Sequence, residues 1–426
     1  MYRNWPSLAL IVLAVIAFGQ AVRAGEPGTI ELLCLDEQVI HGATFQSHNQ
    51  KVVCNDRGIF VAYVQSRNAD YTAQNWHVLR SRDRGRTFAR VASGVAATNP
   101  PVLETDADSN LYLGRVDWVS GNAHLERYLA AEDYREPHVT VLPGGAAGKF
   151  AMALDGRRRQ IVFFSHNNQF FRVGLDGTLR CQVTLLQPGR VAVLQYPSLC
   201  FDEQGDLYAA WTTSTPQKGL YYDIHVMRSR NGGETWQTLT GEALTLPIVA
   251  DDSGPTQRLS LDDEFEVHTW LCNLLAAHGK LHAMYQAQTT PIRFHYLRYD
   301  LRTGREDLRL TPEFRGQHLS LNGLDGTFSC RMADAQSPLV AIVKEAQRPR
   351  LAALRSDDQG ATWHDLAVSK DVTAPYAISG CRELTPDGYA IGVFTDAIEP
   401  SNEPTGKSKL YFYRVRVDGP REQNRR

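Results

Sequence analysis

A chain of 426 residues with 22% charged side chains and a formal net charge of -2 does not supply the surplus Lys and Arg that binding to nucleic acid or to an anionic membrane surface demands, because such binding displaces counterions. The length suits one large β architecture as well as two or three ordinary domains. With 33 Gly, 20 Pro, 16 Phe, 17 Tyr and 7 Trp, the composition favours many short strands joined by tight turns, an all-β chain.

At the N-terminus, Arg3 precedes an apolar run from Leu8 to Phe18 and then Ala21-Val22-Arg23-Ala24. This order predicts a secretory signal peptide over 1–24, cut after Ala24. Eleven apolar residues fall short of the roughly 30 Å hydrocarbon core, so the expectation is export to a periplasm or outside the cell, with no membrane attachment after cleavage. An uncleaved anchor is the alternative. Gly25 at the new terminus excludes a lipid-modified cysteine there.

From residue 40 onward an apolar strand, a turn and a second apolar strand recur. The turns are Asn55-Asp56-Arg57-Gly58, Asp106-Ala107-Asp108-Ser109, Asp155-Gly156, Asp202-Glu203-Gln204-Gly205, Ala277-His278-Gly279, Ala333-Asp334-Ala335-Gln336 and Pro386-Asp387-Gly388. Their spacing of about 50 residues is near the period of a four-stranded propeller blade. A second series follows roughly 25 residues after each marker, half a blade later. Three of its members share one eight-residue pattern, S-x-D/N-x-G-x-T-aromatic, at Ser81 to Phe88, Ser229 to Trp236 and Ser356 to Trp363. Asp or Asn caps turn N–H groups, Gly takes positive φ, Ser and Thr close local bonds, and the aromatic is expected to bury against its own blade. Weaker turns at the same offset are Glu132-Asp133, Asp176-Gly177, Arg302-Thr303-Gly304 and Asp418-Gly419.

Both series give seven blades in a single domain over 25–426, with a strand from Thr29 to Leu35 completing the last blade and removing an exposed sheet edge. The long interval from Glu242 to Glu266 reads as a decorated loop; six blades plus this insertion is the alternative. Cys54, Cys200, Cys272, Cys330 and Cys381 fall on predicted inner strands as small apolar side chains. No disulfide framework is expected, Cys34 with Cys54 or Cys381 being the pair to check, and no cysteine or histidine spacing suits zinc.

In this register the starts of the inner strands and the loops between second and third strands form a funnel. Inner-strand starts offer His48, Asn49, Asn99, Tyr196, Trp270, Arg331 and Tyr376; the facing loops offer Arg67, Asp117, Trp118, His166, Asn167, Tyr222, His225 and Arg293. Aromatic faces stack on sugars, Arg pairs with carboxylate or sulfate, and His moves protons near neutral pH, which suits an acidic carbohydrate. His48 and His166 each sit in Ser-His-Asn, where the Asn can orient the ring.

The eight-residue pattern resembles the Asp-box, or BNR repeat, of the sialidase superfamily. Ser47-His48-Asn49 leading into Asn55 to Gly58, Tyr196-Pro197 with Asp202 to Trp211, and Ile224-His225-Val226 through Trp236 to Ile248 resemble the seven-bladed BNR-repeat family that includes ulvan lyases. That resemblance implies β-elimination on an acidic polysaccharide, with His48 or His166 as base or acid, Tyr196 or Tyr222 as proton partner, and Arg67, Arg293 or Arg331 holding the uronate carboxylate. It departs from sialidases, whose first inner strand brings an Arg in an R-I-P setting; here the strand begins Ser47-His48-Asn49. A Tyr376–Glu383 pair would serve a sialidase-like glycosidase, Asp117 and Asp396 an ordinary hydrolase. A non-catalytic propeller binding glycan or protein remains open. No cofactor is expected, a structural Ca2+ has no signal, and a monomer is the expectation.

Overall fold

Short apolar and aromatic runs punctuated by Asp and Gly turns form strands throughout the computed structural model, which describes residues 28–68, 74–95, 99–310, 326–345, 348–396 and 408–417. Apart from two three-residue 3-10 turns, the described regular structure is all β. The segment 1–24 and Asp418-Gly419 lie outside the described residues.

Among the described residues, seven antiparallel runs of four strands follow one another in chain order. The first joins Val52–Asn55, Gly58–Ser66, Gln74–Ser81 and Ala89–Val95. The second spans Val102–Thr105 to Pro137–Leu142 and the third Phe150–Asp155 to Leu179–Thr184. The fourth begins with Val193–Phe201, Leu207–Thr215 and Leu220–Ser229 and continues through Trp236–Gln237. The fifth runs from Thr269–Ala277 to Arg305–Leu310 and the sixth from Gly326–Ser329 to His364–Val368. In the seventh, Pro375–Gly380, Tyr389–Asp396 and Ser408–Arg416 take their fourth strand from the other end of the chain, Glu31–Val39. Every turn in the marker series links a first to a second strand. The strand expected from Thr29 to Leu35 divides: Gly28–Thr29 runs parallel to His364–Val368, and Glu31–Val39 completes the seventh run.

The first strands pack one against the next in sequence, and Val52–Asn55 touches Tyr389–Asp396 of the seventh run. Across that junction Lys51 N donates to Ser379 Oγ at 3.2 Å, and Ser379 Oγ donates to Asn49 O at 3.1 Å. The apolar core is accordingly divided into layers between adjacent runs, such as Trp211, Trp236 and Phe170 between the third and fourth. Cys200, Cys272, Cys330 and Cys381 are buried in these layers, and all seven cysteines are free thiols.

The three repeated eight-residue turns share one hydrogen-bond scheme. Ser81 Oγ donates to Asp83 Oδ1 and accepts Gly85 N–H, while Asp83 accepts from Thr87 N and Oγ1. Ser356, Asp358, Gly360 and Thr362 repeat it bond for bond. Ser229, Asn231, Gly233 and Thr235 keep the other bonds, but Asn231 Nδ2 donates to Thr235 Oγ1 where the carboxylates accept from the Thr hydroxyl. The aromatic ends differently from the expectation. Phe88 packs on Phe412, Trp236 on Phe170 and Trp363 on Tyr296, with ring centroids 5.0, 5.5 and 5.2 Å apart. Each partner belongs to the third strand of the neighbouring run, because the turn projects past the edge of its own sheet into the layer between sheets.

The interval Glu242 to Glu266 is a loop pinned by short pairings. Ile248–Val249 pairs with Leu186–Gln187, and Gln257–Arg258 pairs with Leu220–Ser229. Glu264 is fully buried and accepts from His295 Nε2 at 2.6 Å and Tyr285 Oη at 2.8 Å.

Candidate functional site

The segment before the first inner strand crosses the middle of the molecule and bonds to other runs at each step. Thr44 Oγ1 donates to Ala377 O at 2.8 Å, and Phe150 N donates to Gln46 Oε1 at 3.0 Å. His48 Nε2 lies 2.9 Å from Pro197 O, and Asn49 Nδ2 donates to Phe150 O at 2.7 Å. A carbonyl only accepts, so His48 carries its proton on Nε2. Its Nδ1 is buried without a hydrogen-bond partner. Burial, reinforced by the Lys51 and Arg382 charges, holds the ring's pKa down to about 4 against the Pro197 hydrogen bond. His48 and Asn49 are therefore buried ties of the first run to the third and fourth. Asn49 also lies 3.2 Å from His48 Nε2, beside the ring as its place in Ser-His-Asn suggests.

Beyond this hub the side chains converge on Tyr196, where the fourth inner strand starts. The Tyr196 ring meets His48 edge-on at 6.2 Å between centroids, Phe45 edge-on at 6.1 Å and Tyr221 at 5.5 Å. Lys149 Nζ stands 5.1 Å from the Tyr196 ring centre. The Tyr196 and Tyr221 hydroxyls are hydrogen-bonded; burial first, then the neighbouring Tyr221 and Tyr376, hold the Tyr196 phenol well above its ordinary range. Tyr221 continues the surface to His268 and Trp270, which stack on each other at 4.9 Å. On the other side Lys149 N donates to His166 Nδ1 at 3.3 Å. His166 and Trp118 flank Gly148, each with a ring carbon 3.8 Å from where a Cβ would stand, and Asn99 Nδ2 donates to Gly148 O. The site thus draws on the second to fifth runs, with Tyr376 of the seventh near Tyr196.

Electrostatics sort these groups by role. Burial lowers the Lys149 pKa, and burial together with Lys149 lowers that of His166. His166 Nδ1 accepts a backbone N–H, as does His268 Nδ1 from Tyr221 N at 3.2 Å. Both imidazoles therefore present Nε2–H as a donor when neutral.

Several expected residues go elsewhere. Asp117 caps its own turn through Val119 N, Ser120 N and Ser120 Oγ. It lines a separate cleft of about 890 Å³ with Arg90, Arg115 and Glu126, between the first and second runs. Asn167 is exposed and donates to Gly144 O at 2.7 Å. Arg67 is exposed at the end of the second strand of the first run. Arg293 is already engaged by Asp263 at 2.8 Å and Glu264 at 3.5 Å. His225 is fully buried, stacked on Trp211, because its strand faces the layer between sheets at that point. The sixth inner strand is Gly326–Ser329, so Arg331 follows its end and lies at the face opposite the strand starts. Glu383 similarly lies past Pro375–Gly380, lining a cavity of about 430 Å³ with Gln50, Glu104 and Arg382. Tyr376 stands near the start of this strand and Glu383 beyond its end, so the two lie toward opposite faces and form no catalytic pair. Tyr376 itself packs on His41 at 4.2 Å. The Tyr222 side chain lies outside the described residues; its neighbour Tyr221 holds the place expected of it.

Lys149 and Tyr221 were not singled out by the sequence. Lys149 directly precedes the inner strand Phe150–Asp155, a position that could have flagged it. Tyr221 reaches Tyr196 because the ladder shifts register between Thr212 and Ser214, which alternation alone does not reveal.

No protein-family model matches the chain, and no curated protein matches it. Among solved structures it is similar to a polysaccharide lyase, a PL25 ulvan lyase bound to -[GlcA(1-4)Rha3S]-. The identity is 13%, covering 91% of this chain and 95% of that one, with a TM-score of 0.58. A second PL25 ulvan lyase structure gives 13% identity, the same coverage and a TM-score of 0.57. Polysaccharide lyase Uly1 gives 9% identity over 92% of this chain and 100% of that one, with a TM-score of 0.55. The likeness is one of fold. It places the chain's all-β architecture among propeller-type proteins.

Proposed function

We propose that the seven runs are the blades of one closed propeller of the Asp-box type, and that its Tyr196 funnel binds an acidic polysaccharide and cleaves it by β-elimination. The observation that carries this reading is the gathering of Lys149, Tyr196, Tyr221, His166, His268 and Trp270 into one cluster. Elimination removes the proton alpha to a uronate carboxylate and breaks the bond to the neighbouring glycosidic oxygen. The developing charge has to be stabilised, a base has to take one proton, and an acid has to supply another. Lys149 supplies the cation that Arg67, Arg293 and Arg331 were expected to supply. The Tyr196–Tyr221 pair supplies the acid for the leaving oxygen, and Trp118, which is exposed, supplies a face for a sugar ring. His48 Nδ1 is the base in this proposal, since His166 and His268 commit their lone pairs to backbone N–H groups. The solved lyase with its bound GlcA(1-4)Rha3S oligosaccharide supports an anionic glycan as the ligand class.

A second reading, an acidic-glycan-binding propeller without chemistry, is favoured by one observation: His48 is buried, and at a pKa of about 4 it is a weak base. Incubation with uronate-rich polysaccharides, following the ultraviolet absorbance of the unsaturated uronate alongside calorimetric binding, separates the two. The proposal expects product from the wild type and none from Tyr196→Phe, with binding retained. Lys149→Met should weaken binding by roughly tenfold to a hundredfold, the loss of one charge-assisted contact. Binding without product in the wild type would sink the lyase and keep the second reading. Release of sialic acid from a glycoconjugate would overturn both.

A further inference from the structure

We propose that Asp223, His225 and Asp252 form a binding site for one transition-metal ion of the zinc class, which fastens the loop around Asp252 to the strand that carries Tyr221. This does not depend on the activity of the Tyr196 funnel. The three side chains each offer a ligand atom, and these atoms all lie within 4.8 Å of one another. Asp223 and His225 come from Leu220–Ser229, whereas Asp252 comes from the long loop that follows Ile248–Val249.

Hydrogen bonding does not account for the arrangement. Asp223 is 1% exposed, and neither of its carboxylate oxygens has a hydrogen-bond partner. His225 Nδ1 is engaged with Thr256 Oγ1 at 3.1 Å, which aims Nε2 at the carboxylates, yet Nε2 is buried without a hydrogen-bond partner. Nε2 stands 3.8 Å from Asp223 Oδ2 and 3.6 Å from Asp252 Oδ1. A charged imidazolium bonded to carboxylate would close to about 2.7–2.9 Å. Two ligands on one tetrahedral Zn2+, at about 2.0–2.2 Å from the ion, stand roughly 3.4 Å apart. The two separations from Nε2, 3.8 and 3.6 Å, are too long for the first geometry and closer to the second. A fully desolvated carboxylate with no donor is strongly unfavourable unless a cation compensates it.

The surroundings fit an ion. Arg258 already pairs with the other oxygen of Asp252, leaving Oδ1 toward His225. Thr213, opposite the register shift in the ladder, is buried with an unpartnered hydroxyl. The loop is held in place nearby, since Trp211 Nε1 donates to Ala250 O at 2.8 Å and Asp251 Oδ2 accepts from Val191 N and Ala192 N. One imidazole and two carboxylates form a borderline donor set that favours Zn2+ over Ca2+ or Mg2+, which take oxygen donors. The thiol-free composition of the site explains why cysteine and histidine spacing gave no signal.

The test uses the full chain. Elemental analysis of protein dialysed against Zn2+ and then metal-free buffer should find one Zn per chain. A strong chelator should lower the thermal midpoint by several degrees, and Zn2+ should restore it where Mg2+ does not. Asp252→Asn, at the exposed ligand, should keep the fold while weakening Zn2+ binding by more than about tenfold, since even outer-shell changes have that effect. Asp223→Asn should remove stoichiometric zinc; should it fail to fold, the wild-type chelation and Asp252→Asn measurements still decide. A wild-type protein that retains no zinc and whose midpoint ignores the chelator overturns the proposal. Restoration by Ca2+ alone overturns the metal class. In metal-free buffer Asp223→Asn should raise the thermal midpoint, because it removes an uncompensated buried charge; a lowered midpoint there overturns the cation requirement.

Discussion

His48, His77 and His282 are held by burial at pKa values of about 4, 4 and 3, all below the roughly 6.5 of a free imidazole. Between those values the unfolded chain binds protons that the native state does not, so stability is full above about pH 6.5 and falls as pH drops toward 4. For His48, wholly buried, the contribution lost is on the order of 3 kcal/mol. Glu104 works in the opposite sense. Burial, opposed by Arg382, raises its pKa to about 6, so its native state favours the proton and stability recovers slightly from pH 6 toward 4.5. Three imidazoles outweigh one carboxyl, so urea midpoints should decline between pH 7 and pH 4, and His48→Gln should flatten that decline. An unchanged slope in the variant would show that His48 is not the neutral tie described here. The tripeptide Ser-His-Asn flagged His48 and His166 from sequence. It could not say that the first copy is a buried tie across the axis while the second faces Lys149, because that depends on which carbonyls arrive from other runs.

The eight-residue turn shows how much an element reveals by itself. Its hydrogen bonds are local, so Ser, Asp or Asn, Gly and Thr at fixed spacing were sufficient to place all three turns between third and fourth strands. The partner of its aromatic is not local. Trp236 is 2% exposed in the layer against Phe170, so Trp236→Ala should cost about 3–5 kcal/mol as a large-to-small core change, read by denaturant unfolding. Gly360 has φ +88°, and a Cβ there would stand 1.6 Å from the Tyr296 hydroxyl, which also lies 2.9 Å from His282 Nδ1. Gly360→Ala should therefore destabilise by more than the roughly 1 kcal/mol usual for backbone strain alone. Equal stability of Gly360→Ala and wild type would show that the turn does not pack on its neighbour.

At the scale of the molecule, the chain ends decide integrity. Glu31–Val39 pairs with Ser408–Arg416 and touches the first run through Val39 and Gln65. Its removal would expose the edge of Ser408–Arg416 and the layer behind it. Deletion of 28–39 should abolish cooperative unfolding and promote aggregation, checked by thermal circular dichroism and light scattering; a sharp transition at the wild-type temperature would contradict the pairing. The sequence by itself determined the all-β class, the strand periodicity, the turn register and the pairing of the chain's two ends, because these follow from local turn chemistry repeated at even spacing. Only the tertiary structure decided which side chains share a site. Arg331 and Glu383 moved to the opposite face, buried His225 came beside buried Asp223 and exposed Asp252, and Lys149 joined Tyr196. Each outcome depends on a strand end, a one-residue register shift or a contact between runs far apart in the chain, and such distances leave no period for a sequence to display.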